Sequence, residues 1–147
     1  MANRSKAKGS SFESQCVSYL RKRLGQEQIE RRALHGPKDM GDVYNLRAHG
    51  AVGIVECKNV ARYGPADIDR WRGQTVAERE NAEADFALLV IHQPGCGKAR
   101  FGANRCDMQL RDLDAIAGDG FTCLMGESMR DVWVTMSVDE MCRIIDA

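Results

Sequence analysis

Hydrophobic residues recur along this chain at two different periods. In residues 10–25, Phe12, Cys16, Val17, Leu20 and Leu24 fall three or four apart, the spacing of one helix face. Ser10 or Ser11 is placed to cap that helix and Gly25 to close it. Residues 28–34 read as a short extended piece, and residues 35–41 carry the Gly and Pro of a loop. Residues 43–48 and 51–58 read as two strands around a His49-Gly50 turn, the second with the Val-Gly-Ile-Val run of a buried strand. Pro65 suits the first turn of a helix, and the polar composition that follows places that helix at the surface.

Residues 86–91, Phe-Ala-Leu-Leu-Val-Ile, are unbroken apolar at strand length and follow a helix, which predicts a buried central strand reached by a parallel crossover. Residues 93–105, with Pro94, Gly95, Gly97 and Gly102, read as a loop. A helix is expected near 108–117, residues 121–125 receive no assignment, and residues 131–136 alternate as a strand with Trp133 in the core. Ser137 or Asp139 then starts a closing helix with Val138, Met141, Ile144 and Ile145 on its apolar face. The expected class is α/β (α+β), a central mixed β-sheet flanked by helices. It forms one domain over residues 10–147, preceded by a flexible basic arm at 1–9 and carrying an insertion at 93–125.

Composition narrows the function classes. A chain of 147 residues, 44% hydrophobic and 29% charged, belongs among ordinary globular domains. The 86–91 run is too short to span a bilayer, and the basic N-terminus leads into no apolar segment of a secretory signal, so a cytoplasmic protein is expected. Net charge is zero, but positive charge gathers early, at Arg4, Lys6, Lys8, Arg31 and Arg32 among others, a distribution open to two readings, one basic side or ordinary solvated surfaces. None of the six cysteines forms a C-x-x-C pair, and reduced thiols are expected; Cys96 and Cys106 near His92 are the candidates for a metal cluster, without its usual spacing.

The chemistry concentrates at Gly41-Asp42-Val43 and Ile54-Val55-Glu56-Cys57-Lys58. Alternate residues of a strand share a face, so Glu56 and Lys58 project together, and a hairpin centred near His49 or Gly50 sets Asp42 opposite one of them. Two carboxylates this close repel each other unless a cation joins them, and hard oxygen donors favour Mg2+ or Mn2+. Such a cation polarises a phosphate and activates water, while a lysine beside it neutralises charge in the transition state. The residues alone leave open an ordinary salt bridge at a strand end, because Glu-x-Lys is a common tripeptide. This one is the only acid-x-Lys in the chain, and it ends an apolar strand one hairpin after Asp42.

Taken in order, Gly9-Ser-Ser-Phe12-Glu13, Gly41-Asp42-Val43 and Val55-Glu56-Cys57-Lys58-Asn59 resemble the PD-(D/E)xK nucleases, and within them the archaeal and phage Holliday junction resolvases. The resemblance runs from residue 9 to about residue 92, and Trp133-Val-Thr-Met with a closing helix is similar to the ending of phage-encoded members. It implies a restriction-endonuclease-like core in which Asp42, Glu56 and the Cys57 carbonyl ligate Mg2+, with Mn2+ substituting, and Lys58 is catalytic. It also implies that Glu13 completes the metal site, although by itself Glu13 reads as an ordinary acid near a helix start. The implied activity is hydrolysis of branched DNA by a homodimer, with no membrane and no nucleotide cofactor, in the host cytoplasm if phage-encoded. Arg4, Lys6, Lys8, Arg31, Arg32, Lys38 and Gln74 are the candidate DNA contacts. Alternatives are another nuclease of the same type, for restriction, repair or exonuclease work, and a non-catalytic DNA-binding module. Gly41 departs from the family's proline, and Asp39 offers a competing acid.

Overall fold

Helix α1 (Ala2–Leu24) begins well before the cap expected at Ser10 or Ser11. Ala2, Lys6, Ala7 and Lys8 are good helix formers joined to a segment already nucleated around Phe12 and Cys16, so each added turn needs no new nucleus. From Ala2 onward the expected flexible arm is therefore helical, and it is exposed over residues 4–8. Gly25, at φ 66°, ends α1 in the left-handed conformation.

The protein, described by a computed structural model over residues 2–33, 36–117 and 127–147, continues as β1 (Glu30–Arg31), β2 (Val43–Ala48), β3 (Ala51–Lys58) and α2 (Pro65–Asn81). Then come β4 (Phe86–Ile91), a 3-10 helix (Lys98–Ala103), β5 (Arg105–Gln109), α3 (Leu110–Ala117), β6 (Trp133–Ser137) and α4 (Val138–Asp146). Residues 121–125, which the sequence left unassigned, and His35 lie outside the described residues. The six strands form one mixed sheet in chain order, antiparallel throughout except for the β3–β4 pair. The expected parallel crossover is that pair, made through α2, and β4 is buried at every position.

One sheet face packs on α1 and α4 through Phe12, Leu20, Val55, Val90, Met108 and Met141. The other face is covered by α2, whose Trp71 packs on Leu89 and Ile91 with Tyr63 5.3 Å away. These two aromatics therefore take the packing role. Gly53 is required where β3 passes Phe86, since a Cβ there stands 2.2 Å from the ring.

Three expectations are corrected. The described part of the expected 93–125 insertion, residues 93–117, is built into the sheet layer: it supplies β5, an interior strand between β4 and β6, and α3. That strand escaped the sequence reading because its buried positions include Asp107 and Gln109, polar residues satisfied by Arg72 and Arg79 of α2. Helix α2 is not a pure surface helix, because Trp71, Thr75, Glu78 and Arg79 are buried under it. Trp133 is half-exposed on the edge strand β6, with the Arg72 guanidinium 5.2 Å over its ring.

Cys16, Cys57, Cys96, Cys106 and Cys142 are free thiols. His92 contacts the Cys96 carbonyl through Nε2 at 3.0 Å, and no metal-binding group of three His, Cys, Asp or Glu side chains occurs among the described residues.

Candidate functional site

Asp42, Glu56 and Lys58 converge at the end of the sheet where β3 outruns β2. Gly41 delivers Asp42 to that point at φ 87°, with the Ile54 side chain so near that a Cβ would lie 3.0 Å from it. Asp42 N–H donates to the Val55 carbonyl at 3.1 Å, and Asp42 Oδ2 accepts from the Cys57 amide at 2.8 Å. Alternation along β3 turns Glu56 and Lys58 to the α2 face and Cys57 toward Cys16 of α1. Lys58 Nζ lies 2.6 Å from Glu56 Oε1, while Glu56 Oε2 is buried and has no hydrogen-bond partner.

The electrostatics of the cluster are dominated by desolvation. Burial, followed by the neighbouring Glu56 charge, pushes Asp42 up to about 7. Burial, then Glu78, pushes Glu56 up to about 8. Burial works to lower Lys58, but the surrounding Glu56, Asp42 and Glu78 outweigh it and leave its pKa raised. Lys58 therefore stays an ammonium through neutral pH and is a fixed positive charge, not a base.

Glu13 reaches the same cluster from α1. Burial and then Asp42 raise its pKa, Arg31 and Lys58 oppose the rise, and Arg31 Nε stands 3.4 Å from Glu13 Oε2. Asp39, the competing acid, is exposed and accepts from the Gly41 amide at 3.2 Å, which shapes the turn into Asp42. Cys57 lies past the last β2–β3 pair, with its amide held by Asp42.

Glu78 was not singled out from sequence, yet it is part of the cluster. It is buried on α2, lies within hydrogen-bond reach of Glu56, and has its pKa raised to about 7, first by burial. Its signal was spacing: Trp71, Thr75 and Glu78 follow the i, i+4, i+7 pattern of a face turned to the sheet.

The basic candidates divide into two groups. Arg4, Lys6 and Lys8 are exposed on the first turns of α1, and Asn59 Nδ2 donates to the Lys8 carbonyl at 3.5 Å, which brings this extension beside the end of β3. Lys38 is exposed, and with Arg32 and Pro37 it lines a cleft that opens on Asp42. Arg31 is held by Ser10 Oγ and Glu13, and Arg32 lies 4.6 Å over the Tyr44 ring. Gln74 is exposed one turn before Glu78.

The donor set fits a hard divalent cation. It consists of carboxylate oxygens, one of them buried without a partner, whose pKa values are raised first by burial and then by the neighbouring acids. Among the described residues the carboxylates do not stand at mutual ligand spacing, and Lys58 holds one oxygen of Glu56. No family model, characterised protein or solved structure matches this chain.

Proposed function

We propose that this chain is a divalent-cation-dependent DNA endonuclease of the PD-(D/E)xK type, selective for branched DNA and acting on four-way junctions as a homodimer. The observation that carries the reading is the convergence of Asp42, Glu56 and Lys58, with Glu13, at one end of the sheet beside exposed basic residues. The sheet and its two helical layers are compatible with the restriction-endonuclease-like core.

In this reading Asp42 and Glu56 hold Mg2+ or Mn2+, with the Cys57 carbonyl and Glu13 as further oxygen donors. The cation supplies Lewis-acid polarisation of the scissile phosphate and a lowered pKa for the attacking water. Lys58, fixed by Glu56 and charged at neutral pH, orients that water and stabilises the negative charge that develops on the phosphate oxygens. Burial of Glu56 keeps bulk water from competing for its carboxylate. Arg4, Lys6, Lys8 and Lys38 contact backbone phosphates, which position the duplex arms without reading sequence.

A homodimer brings two such centres to the two strands of a junction that must be cut in symmetry. Among the described residues no helix is long and apolar enough to cross a membrane. A cytoplasmic location is part of the proposal.

The test is cleavage of labelled four-way junction, flap and linear duplex in Mg2+, Mn2+ or EDTA by the parent, Asp42→Asn and Lys58→Ala. Paired nicks confined to the junction, dependent on the cation and lost in both variants, are expected. Cleavage of flap or linear duplex instead points to another nuclease of the same type, and cleavage of nothing by the parent leaves a DNA-binding module.

A further inference from the structure

We infer that Glu78 is a further member of the cation site, its carboxylate reaching from α2 to join Glu56 as an oxygen donor. The inference rests on the nuclease reading of Asp42, Glu56 and Lys58 and adds to it a donor from the helix that covers the sheet. Glu78 is only 4% exposed, and its Oε2 has no hydrogen-bond partner. The same is true of Glu56 Oε2, and the two carboxylates stand within hydrogen-bond reach of each other, so each presents a buried oxygen that no N–H reaches. A buried charged oxygen without a donor is costly, and the arrangement persists only where a proton or a cation takes that place.

The make-up of the cluster suits a cation. Three carboxylates, Asp42, Glu56 and Glu78, share the cluster with a single ammonium, Lys58. Glu13 is balanced separately by Arg31. Asp39 acts on Glu78 with the same sign, so acids outnumber cationic groups around this pair, a balance that a divalent cation offsets. The donors are all hard oxygens, so the cation is of the Mg2+ or Mn2+ class. Helix α2 has a reason to turn an acid inward at this point: Trp71 and Thr75 already pack its buried stripe on the sheet, and Glu78 continues the stripe to the end of β3 where Glu56 stands.

The experiment measures Mn2+ binding by electron paramagnetic resonance at pH 8 without DNA, on the full chain, for the parent, Glu78→Gln and Glu78→Asp, with melting in EDTA and in Mn2+ alongside. Glu78→Gln is expected to weaken Mn2+ at least tenfold, to shrink the rise in melting temperature that Mn2+ produces, and to melt no lower than the parent in EDTA. Glu78→Asp, which keeps the charge but retracts it, is expected to fall between and serves if Glu78→Gln does not fold. Mn2+ affinity within twofold of the parent in the folded variants overturns the role of Glu78 while leaving the nuclease reading intact. A parent that binds no Mn2+ overturns both.

Discussion

Asp42 accepts a hydrogen bond from the Cys57 amide at 2.8 Å while its own amide donates to Val55 at 3.1 Å, an arrangement that the hairpin turn alone does not produce. Ala48 pairs with Ala51 and Leu46 with Gly53; carried on unchanged, that register sets Asp42 opposite Cys57, on the face packed against α1. A bulge between Val43 and Leu46, with Asn45 at φ 64°, shifts the pairing so that Val43 meets Val55 and Asp42 falls beside Glu56. The bulge therefore turns Asp42 to the side of the sheet where Glu56 and Lys58 project.

Asn45 is one of the few residue types that adopts this left-handed conformation without glycine's freedom. Asn45→Val is expected to cost about 1–2 kcal/mol of stability, and Asn45→Gly far less, as read from urea unfolding midpoints. Equal stability of the two variants counts against the bulge as the device that sets the register.

Lys58→Ala removes the ammonium beside Glu56 and is expected to slow single-turnover cleavage by about 10^2–10^3-fold, with junction affinity measured in Ca2+ little changed. Lys58→Arg is not expected to restore the rate, because a planar guanidinium does not reproduce a compact charge 2.6 Å from Glu56 Oε1. Parallel loss of binding and cleavage would assign Lys58 to DNA contact instead.

Stability should depend on pH with a definite sign. Asp42, Glu56 and Glu78 titrate at about 7, 8 and 7 in the folded protein against ordinary values of 3.8, 4.5 and 4.5. The folded state binds more protons than the unfolded chain between these limits, so the stabilisation is complete below the ordinary carboxylate values and is lost as pH rises through about 7 to 8. In EDTA the urea midpoint is expected to be higher at pH 5.5 than at pH 8.5, and Mn2+ is expected to restore it at the higher pH. A midpoint independent of pH over this range would show that the three acids ionise normally.

Arg79 is 8% exposed and bonds Asp112 Oδ1 at 2.6 Å and Gln109 at 3.0 Å, which ties α2 to α3 and β5. Asp112 also accepts from the Ala87 amide at 3.0 Å. Arg79→Ala strands that buried carboxylate and is expected to destabilise the fold by about 3–5 kcal/mol in calorimetry or urea unfolding, while Arg79→Ala with Asp112→Asn recovers part of the loss. A loss under 1 kcal/mol for the single variant would make the pair dispensable.

Replacing Arg4, Lys6 and Lys8 together by alanine is expected to weaken all DNA substrates alike and to flatten the plot of log affinity against log salt by about 0.9 for each phosphate contact removed. Alanine suits a helix, so α1 is kept. An unchanged slope places the phosphate contacts elsewhere.

The sequence by itself determined the parts of this protein that depend on local chemistry. Period-2 alternation in β3 put Glu56 and Lys58 on one face, the apolar run at residues 86–91 marked a central strand, Gly25 closed a helix, and Ser137 with Glu140 capped another through reciprocal hydrogen bonds. Tertiary structure decided what depends on partners distant in the chain. The β2 bulge sets the face of Asp42, because register is a property of two strands together. β5 is a buried strand although its Asp107 is charged, because Arg72 from α2 joins Arg105 of the same strand at that carboxylate, and no local pattern announces Arg72. Glu78 enters the cluster for the same reason: an acid on a polar helix is exposed by default, and only the packing of Trp71 on β4 turns this one toward Glu56.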